Sequence, residues 1–323
     1  MERVAVIEQT GGPEVIGWRE VEVPPPGPGE VRMRNTAIGL NYIDMYFRSS
    51  TYPVQLPSGL GNEGAGVVEA AGPGVEFRPG DRVATFGPSR GAYATARNLP
   101  AAELFRLPDD VNDRTAAAVL LKGCTAEFLI ERCARVEPGH TVLVWAGAGG
   151  VGQILVGWLK RVGATVIAVV GTDDKAARVR ELGADHVVLH RKEAVAARVR
   201  ELTSGAGADI SLDSVGQASW EASLGSLKRR GLLVSYGNAG GPVTGVDLGL
   251  LAAKGSLFVT RPTLFDYNRA PRERAAGVER LWSMLREGAV RPEIGRTFAL
   301  ADAADAHRAL EAGETRGSTL LLP

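Results

Sequence analysis

The stretch from Thr141 to Ala164, TVLVWAGAGGVGQILVGWLKRVGA, constrains the fold more than any other. A short β-branched run, Thr141 to Trp145, enters Gly147-Ala-Gly149-Gly150-Val151-Gly152. It leaves in a segment whose apolar residues Val151, Leu155, Trp158, Leu159 and Val162 keep helical spacing. Gly147 permits a tight turn, Gly149 lets the backbone approach a pyrophosphate, and Gly152 lets helix and sheet pack closely. The helix N-terminus supplies N–H groups and the positive end of its dipole to phosphate. A bare G-x-G-x-x-G is a weak sign. At a strand-to-helix junction inside a βαβ series it points to dinucleotide binding.

Such a series surrounds it. Strands are expected at 141–146, 165–170, 186–189, 209–213, 232–236 and 256–260, with helices near 150–162, 174–182, 192–203 and 217–229. This alternation builds a parallel sheet with right-handed crossovers. The preceding third reads as β: RVAVIEQ, EVRMRNTAIGL, GAGVVEAAG and DRVATF are short, alternating and separated by Gly and Pro. PPPGPGE is a rigid connector. A helix is expected from Asp113, its N-cap, through DRTAAAVLLKGCTAEFLIERC. Beyond residue 260 come one more helix near 271–287, a short strand-like return and STLLLP. LKRRG, Leu227 to Gly231, reads as a solvated helix end with a glycine cap, not a nucleic-acid patch.

Lys+Arg and Asp+Glu each number 37, so the formal net charge is zero, and a phosphate-backbone binder is a poor first reading. Two cysteines, Cys124 and Cys133, exclude a disulfide-built fold and suit a reducing compartment. MERVAVIEQT lacks the apolar run of a signal peptide, and no stretch approaches the roughly 20 apolar residues of a membrane span. The expectation is a cytoplasmic enzyme.

GLGNEGAG, Gly59 to Gly66, raises the question of a metal. A Gly-His-Glu at such a place, with cysteines upstream, would suggest catalytic zinc, but here Asn62 precedes Glu63. The four histidines, His140, His186, His190 and His307, all lie in the last two thirds of the chain, and the cysteines are not in a paired ligand spacing. No metal is expected. The histidines are expected at the surface or the cofactor's edge, and Glu63 is expected to support the turn.

The choice of nicotinamide rests on the tip of the second strand, VVGTDDK. An NAD site usually carries an acidic residue about 20 positions past the glycine loop. Gly171 stands there and leaves room for a 2′-phosphate, with Thr172 as donor and Lys175 as a point charge. His190 or Arg191 is placed to close over the adenine end. Asp173 and Asp174 read as helix capping. Were Asp173 to reach the ribose, NADH would be preferred. NADPH is the expected cofactor.

Together these segments resemble the medium-chain dehydrogenase/reductase superfamily, and within it the zinc-free quinone oxidoreductases, the group of zeta-crystallin and bacterial NADPH:quinone reductases. The resemblance spans essentially the whole chain. It is carried by GGPEV, AIGLNYIDMYFRS, YPVQLPSGLGNEGAGVV, GDRV, GAYA, LLKGCTA, GAGGVGQ, VGT, DSVG, GLLVSYGNAGG, GSLFVTRP and GSTLLLP in that order. It implies an α/β fold: a GroES-like β-rich catalytic domain and a Rossmann doubly wound parallel sheet of order 3-2-1-4-5-6, with the cofactor in the cleft between them. The boundaries expected are 1–120, 121–260, and a return to the catalytic domain over 261–323. It implies a homodimer through the sheet edge near Ser256–Val259, an apolar edge that needs cover.

By the same resemblance Asn41, Asp44, Tyr46, Tyr52 and Arg261 line the nicotinamide and quinone pocket. Thr125, Gly147, Gly149, Gly150, Val151, Gly152, Gly171, Thr172, Lys175, His190, Val215, Gly237 and Asn238 match cofactor positions. Two departures stand out. His190 replaces a tyrosine common in bacterial relatives, and Gly313 replaces an arginine, with Arg316 nearby. Both make NADPH affinity more sensitive to pH and salt. A quinone is already a strong acceptor, and its reduced oxygen is a stabilised phenolate, so hydrogen-bond donors suffice without a Lewis acid. The alternatives are an NADPH-dependent reductase of α,β-unsaturated carbonyls, using the same groups, and a non-catalytic crystallin-like or RNA-binding role.

Overall fold

The computed structural model describes all 323 residues, Met1 to Pro323. They separate into two compact units, Met1–Leu121 with Pro292–Pro323, and Lys122–Arg291. Along the chain the first unit contributes β1 (Glu2–Ile7), β2 (Gly17–Val21), β3 (Glu30–Leu40), α1 (Tyr42–Arg48), β4 (Ser58–Gly59), β5 (Glu63–Ala71), β6 (Arg82–Phe86), β7 (Ala96–Pro100) and β8 (Leu104–Arg106). Helix α2 (Asp113–Glu127) carries the chain from the first unit to the second. The second unit holds β9 (Thr141–Val144), α3 (Gly150–Val162), β10 (Thr165–Val170), α4 (Asp173–Glu181), β11 (His186–Leu189), α5 (Val195–Leu202), β12 (Ala208–Asp213) and α6 (Trp220–Ser226). It continues through β13 (Leu227–Ser235), α7 (Leu248–Ala253), β14 (Phe258–Thr260), α8 (Leu264–Tyr267) and α9 (Pro271–Arg286). The chain then returns with β15 (Ile294–Ala299), α10 (Ala303–Glu311) and β16 (Ser318–Leu322).

The first unit is built on β3, whose eleven residues pair with β5, β7 and β16. Its main sheet runs β15-β16-β3-β5-β6-β8, and a smaller one β2-β1-β4. The alternation in EVRMRN buries Val31, Met33 and Asn35, and both faces are covered near its end. Ile7, Ile38, Leu40, Leu60 and Tyr93 form a core with Ala303 and Ala306 of α10. The C-terminal segment is thus part of this unit's interior.

The second unit is one parallel sheet, β11-β10-β9-β12-β13-β14, which is the order 3-2-1-4-5-6. Its central strand TVLV is apolar after its first residue because helices cover both faces of such a sheet. The order reverses between β9 and β12, and the glycine loop leaves β9 at that switch point.

Three expectations are corrected. LKRRG is not a helix end: α6 stops at Ser226, and Leu227 already pairs with Ala208 as the start of β13. Buried Leu227 anchors that strand while Lys228, Arg229 and Arg230 stay exposed, Arg230 with φ +60°. Asp113 is not the cap of α2. Asn112 Oδ1 accepts from Thr115 N at 2.8 Å, while Asp113 pairs with Arg82 at 2.7 Å. Residues 261–291 belong to the second unit rather than to the return, which starts at Pro292. The reason is packing: Leu281 of α9 is buried against Gly123, and Arg280 pairs with Glu131 at 2.9 Å.

Candidate functional site

The expected residues fall into two groups, one in each unit. In the first, α1 is the scaffold. Asn41 is its N-cap in extended conformation, φ −133° and ψ 153°, and the Asp44 carboxylate accepts from Asn41 N at 2.9 Å. Tyr46 lies on α1, and Tyr52 follows it, donating its N–H to Tyr46 O at 2.9 Å. Their ring centroids are 5.0 Å apart, and both are half-buried. Two phenols are thus presented side by side, each with an apolar face and a polar tip.

The GLGNEGAG turn is tied to the start of α1 through Asn41. Glu63 is wholly buried, and its two oxygens accept from Asn41 Nδ2 at 2.9 Å and from Leu121 N at 2.7 Å. Asn62 Nδ2 donates to Gly87 O at 2.9 Å. Gly61, at φ +88°, is pressed on Tyr93, whose ring a Cβ would meet at 2.4 Å. Asn41 places its amide hydrogens on Glu63 and, at 3.3 Å, on Gly39 O. That amide therefore braces the turn. No three His, Cys, Asp or Glu side chains converge as metal ligands would.

One histidine corrects the sequence reading. His140, His186 and His190 are partly or fully exposed, but His307 has no exposed surface. The polar-looking ADAADAHRAL carries no signal for this: only the burial of one face of α10 decides it. Burial first, and then the charge of Arg48, depress its pKa from 6.5 to about 3. The unfolded chain therefore takes up this proton first. The stability owed to the neutral ring is complete above about pH 6.5 and is lost as pH falls toward 3. We expect this residue to contribute a slope of up to about 1.4 kcal/mol per pH unit in that window. Denaturant titrations on the two sides of it should show a shallower slope in His307→Gln than in the wild type; equal slopes would contradict the assignment.

In the second unit Gly149 is the N-cap of α3, and Gly150, Val151 and Gly152 form its first turn. A Cβ on Gly152 would stand 2.2 Å from Ala146 O, and one on Gly147 would stand 3.1 Å from Ala168 Cβ. These glycines are what the turn requires. Thr125 is buried on α2. At the end of β10, a Cβ on Gly171 would face His190 Nε2 at 3.1 Å and Arg191 Nε at 3.4 Å. The pKa of His190 is lowered by burial and then by the charges of Arg191 and Lys175. Positive groups therefore crowd this point, as a 2′-phosphate requires. Thr172 stands at the N-cap position of α4 without a side-chain capping bond, its hydroxyl donating to Asp174, while Asp173 pairs with Lys192 at 2.8 Å.

Asp213, 1% exposed, was quoted in the sequence only as part of DSVG, yet it organises the loops carrying three expected residues. It accepts from Val215 N at 2.8 Å, Gly216 N at 3.1 Å, Ser219 Oγ at 2.7 Å and Ser223 Oγ. The second loop, with Gly237 and Asn238, interlocks with the first: Gly240 N donates to Val215 O at 2.7 Å and Ala239 N to Ser214 O at 3.2 Å. Arg261 Nη1 donates to Ser235 O at 2.7 Å beside them.

The family described as Alcohol dehydrogenase GroES-like domain matches residues 27–109, and that described as Zinc-binding dehydrogenase matches 150–269. The chain is 49% identical over 315 residues to a quinone oxidoreductase of Pseudomonas aeruginosa, covering 97% of each. It is 42% identical to a 2-haloacrylate reductase of a Burkholderia species, covering 100% of this chain and 99% of that one. The crystal structure of the Escherichia coli quinone oxidoreductase complexed with NADPH superposes with a TM-score of 0.97 at 41% identity, covering 99% of this chain and 100% of that one.

Proposed function

The chain belongs to the quinone oxidoreductase family of the medium-chain dehydrogenase/reductases, and from that premise we propose that it reduces quinones with NADPH. The observation that carries the reading is the pair Tyr46 and Tyr52 at α1, whose N-cap Asn41 donates to a Glu63 with both oxygens engaged by amides. Such a site offers hydrogen-bond donors and an apolar face, which suits a planar acceptor whose reduced oxygen is a stabilised phenolate.

The residues present fit the cofactor. Gly147, Gly149, Gly150, Val151 and Gly152 would hold the pyrophosphate, with Thr125 in support. Gly171, Lys175, His190 and Arg191 would hold the 2′-phosphate, with Thr172 beside them though its hydroxyl here donates to Asp174, and Val215, Gly237 and Asn238 would hold the nicotinamide end. When bound, NADPH supplies the hydride. Tyr46 and Tyr52 would stabilise the negative charge that grows on the quinone oxygen, and a tyrosine hydroxyl or water would deliver the proton that completes the hydroquinone; Arg261, in the second unit, is held by Ser235 O. Asn41 and Asp44 act by fixing α1 and the turn.

Initial rates of NADPH and NADH oxidation against a panel of p-quinones and enones, with EDTA present, test the reading. We expect NADPH-dependent quinone turnover that EDTA leaves unchanged. Turnover of 2-alkenals or haloacrylates alone would favour the second reading, to which the 2-haloacrylate reductase likeness points. Lys175→Ala should raise KM for NADPH about tenfold and leave KM for NADH nearly unchanged; equal changes would remove Lys175 from the phosphate site.

Two copies pair, in this reading, along β14, where Phe258 is 59% and Val259 37% exposed on an unpaired edge. No helix is long and apolar enough to cross a membrane.

A further inference from the structure

His307 belongs to none of the roles above. Its Nδ1 lies 3.0 Å from Arg48 Nη1 and its Nε2 3.0 Å from Tyr93 Oη. Arg48, 2% exposed, also donates Nε to Gly11 O at 3.1 Å and pairs with Glu311. Tyr93, wholly buried, donates to Asp44 Oδ2 at 3.0 Å. The chemistry of these partners decides the tautomer. A guanidinium only donates, so Nδ1 accepts; the neutral ring then carries its proton on Nε2 and donates to Tyr93 Oη. The single hydrogen of Tyr93 goes to Asp44. The bonds run one way, from Arg48 through His307 and Tyr93 to Asp44.

The ends of this path are the ends of α1. Asp44 lies in its first turn, and Arg48 is its last residue. A helix of seven residues is too short to hold itself in water, so outside contacts fix its place. One imidazole therefore clamps both ends of the helix that presents Tyr46 and, through it, Tyr52. An apolar side chain of equal volume would fill the space but leave Arg48 Nη1 and the Tyr93 oxygen with one partner fewer.

We propose that His307, as the neutral Nε2–H tautomer, is a positioning residue for quinone reduction, holding α1 at both ends so that Tyr46 and Tyr52 meet the substrate correctly. The proposal rests on the quinone-reductase reading, and its test separates the two. Tyr93→Phe removes one oxygen and cuts the path; His307→Leu removes the clamp; His307→Gln restores one donor and one acceptor.

With p-benzoquinone, Tyr93→Phe and His307→Leu should each lower kcat by about tenfold or more, because misplacement of supporting groups is costly. KM for NADPH should stay within about twofold, since the cofactor groups belong to the other unit, and His307→Gln should recover part of kcat. NMR of isotope-labelled histidine should show Nε2 protonated and Nδ1 bare from about pH 5 to 8. Labelled tyrosine should show the Tyr46 and Tyr52 ring signals moving in Tyr93→Phe. An Nδ1–H tautomer, an imidazolium at neutral pH, or loss of thermal stability with kcat unchanged would overturn the proposal. If the wild type reduces no quinone, the functional reading fails alone; the tyrosine signals then decide, movement supporting the positioning role and constancy overturning it.

Discussion

Replacing Asp213 with alanine is expected to remove about 3–5 kcal/mol of stability and NADPH binding together. The carboxylate is 1% exposed and gathers two backbone N–H groups and two serine hydroxyls. The hydroxyls can turn elsewhere; Ser219 Oγ already also donates to Gly216 O at 3.0 Å. The N–H groups of Val215 and Gly216 cannot turn, and each unpaired buried donor costs about 1–3 kcal/mol. Because the neighbouring loop hangs on Ser214 and Val215 carbonyls, both loops should loosen at once. Asp213→Asn keeps one acceptor oxygen and should cost clearly less. Guanidinium unfolding and fluorescence titration with NADPH measure the two effects. An alanine variant as stable as the wild type would mean that the cluster bears no strain of this kind.

Gly152→Ala should weaken NADPH binding by on the order of a hundredfold, or about 2.7 kcal/mol, and also destabilise the fold. The added methyl would lie 2.2 Å from Ala146 O and 2.8 Å from Gly147 Cα, both backbone, so the loop must move. Gly149→Ala is the informative contrast. Its methyl would meet only Ala146 O, at 3.2 Å, so stability should change by about 0.5 kcal/mol or less while NADPH is still hindered from the backbone. If both variants bind NADPH as the wild type does, the glycine loop is a structural turn and not a phosphate cradle.

How much of this was legible follows from the range of each signal. The glycine loop, the boundaries of β10 and β11 and the parallel character of the sheet came from local period and spacing, which a strand-turn-helix series writes directly into the sequence, whereas the strand order came from the family resemblance. Helix α1 and its capping by Asn41 and Asp44 were not among the expectations, although the two residues are only three apart. LKRRG misled because its charges and glycine imitate a helix end, while pairing of Leu227 with Ala208 determines the outcome. Asp213 was visible as a letter in a motif, but its four donors come from residues up to ten positions on.

The class of fold, the dinucleotide loop and the absence of an acid at Gly171 were encoded within short windows of sequence, and the family in the order of segments along the whole chain. The fold fixed the partners through which Glu63 supports its turn, and it alone assigned the roles of Asp213 and His307. Glu63 meets Leu121, 58 residues on, and His307 meets Arg48 and Tyr93, 259 and 214 residues away. A buried polar group must find its partners wherever the fold brings them, and the cost of leaving it unpaired is set by that enclosure rather than by its neighbours in the chain.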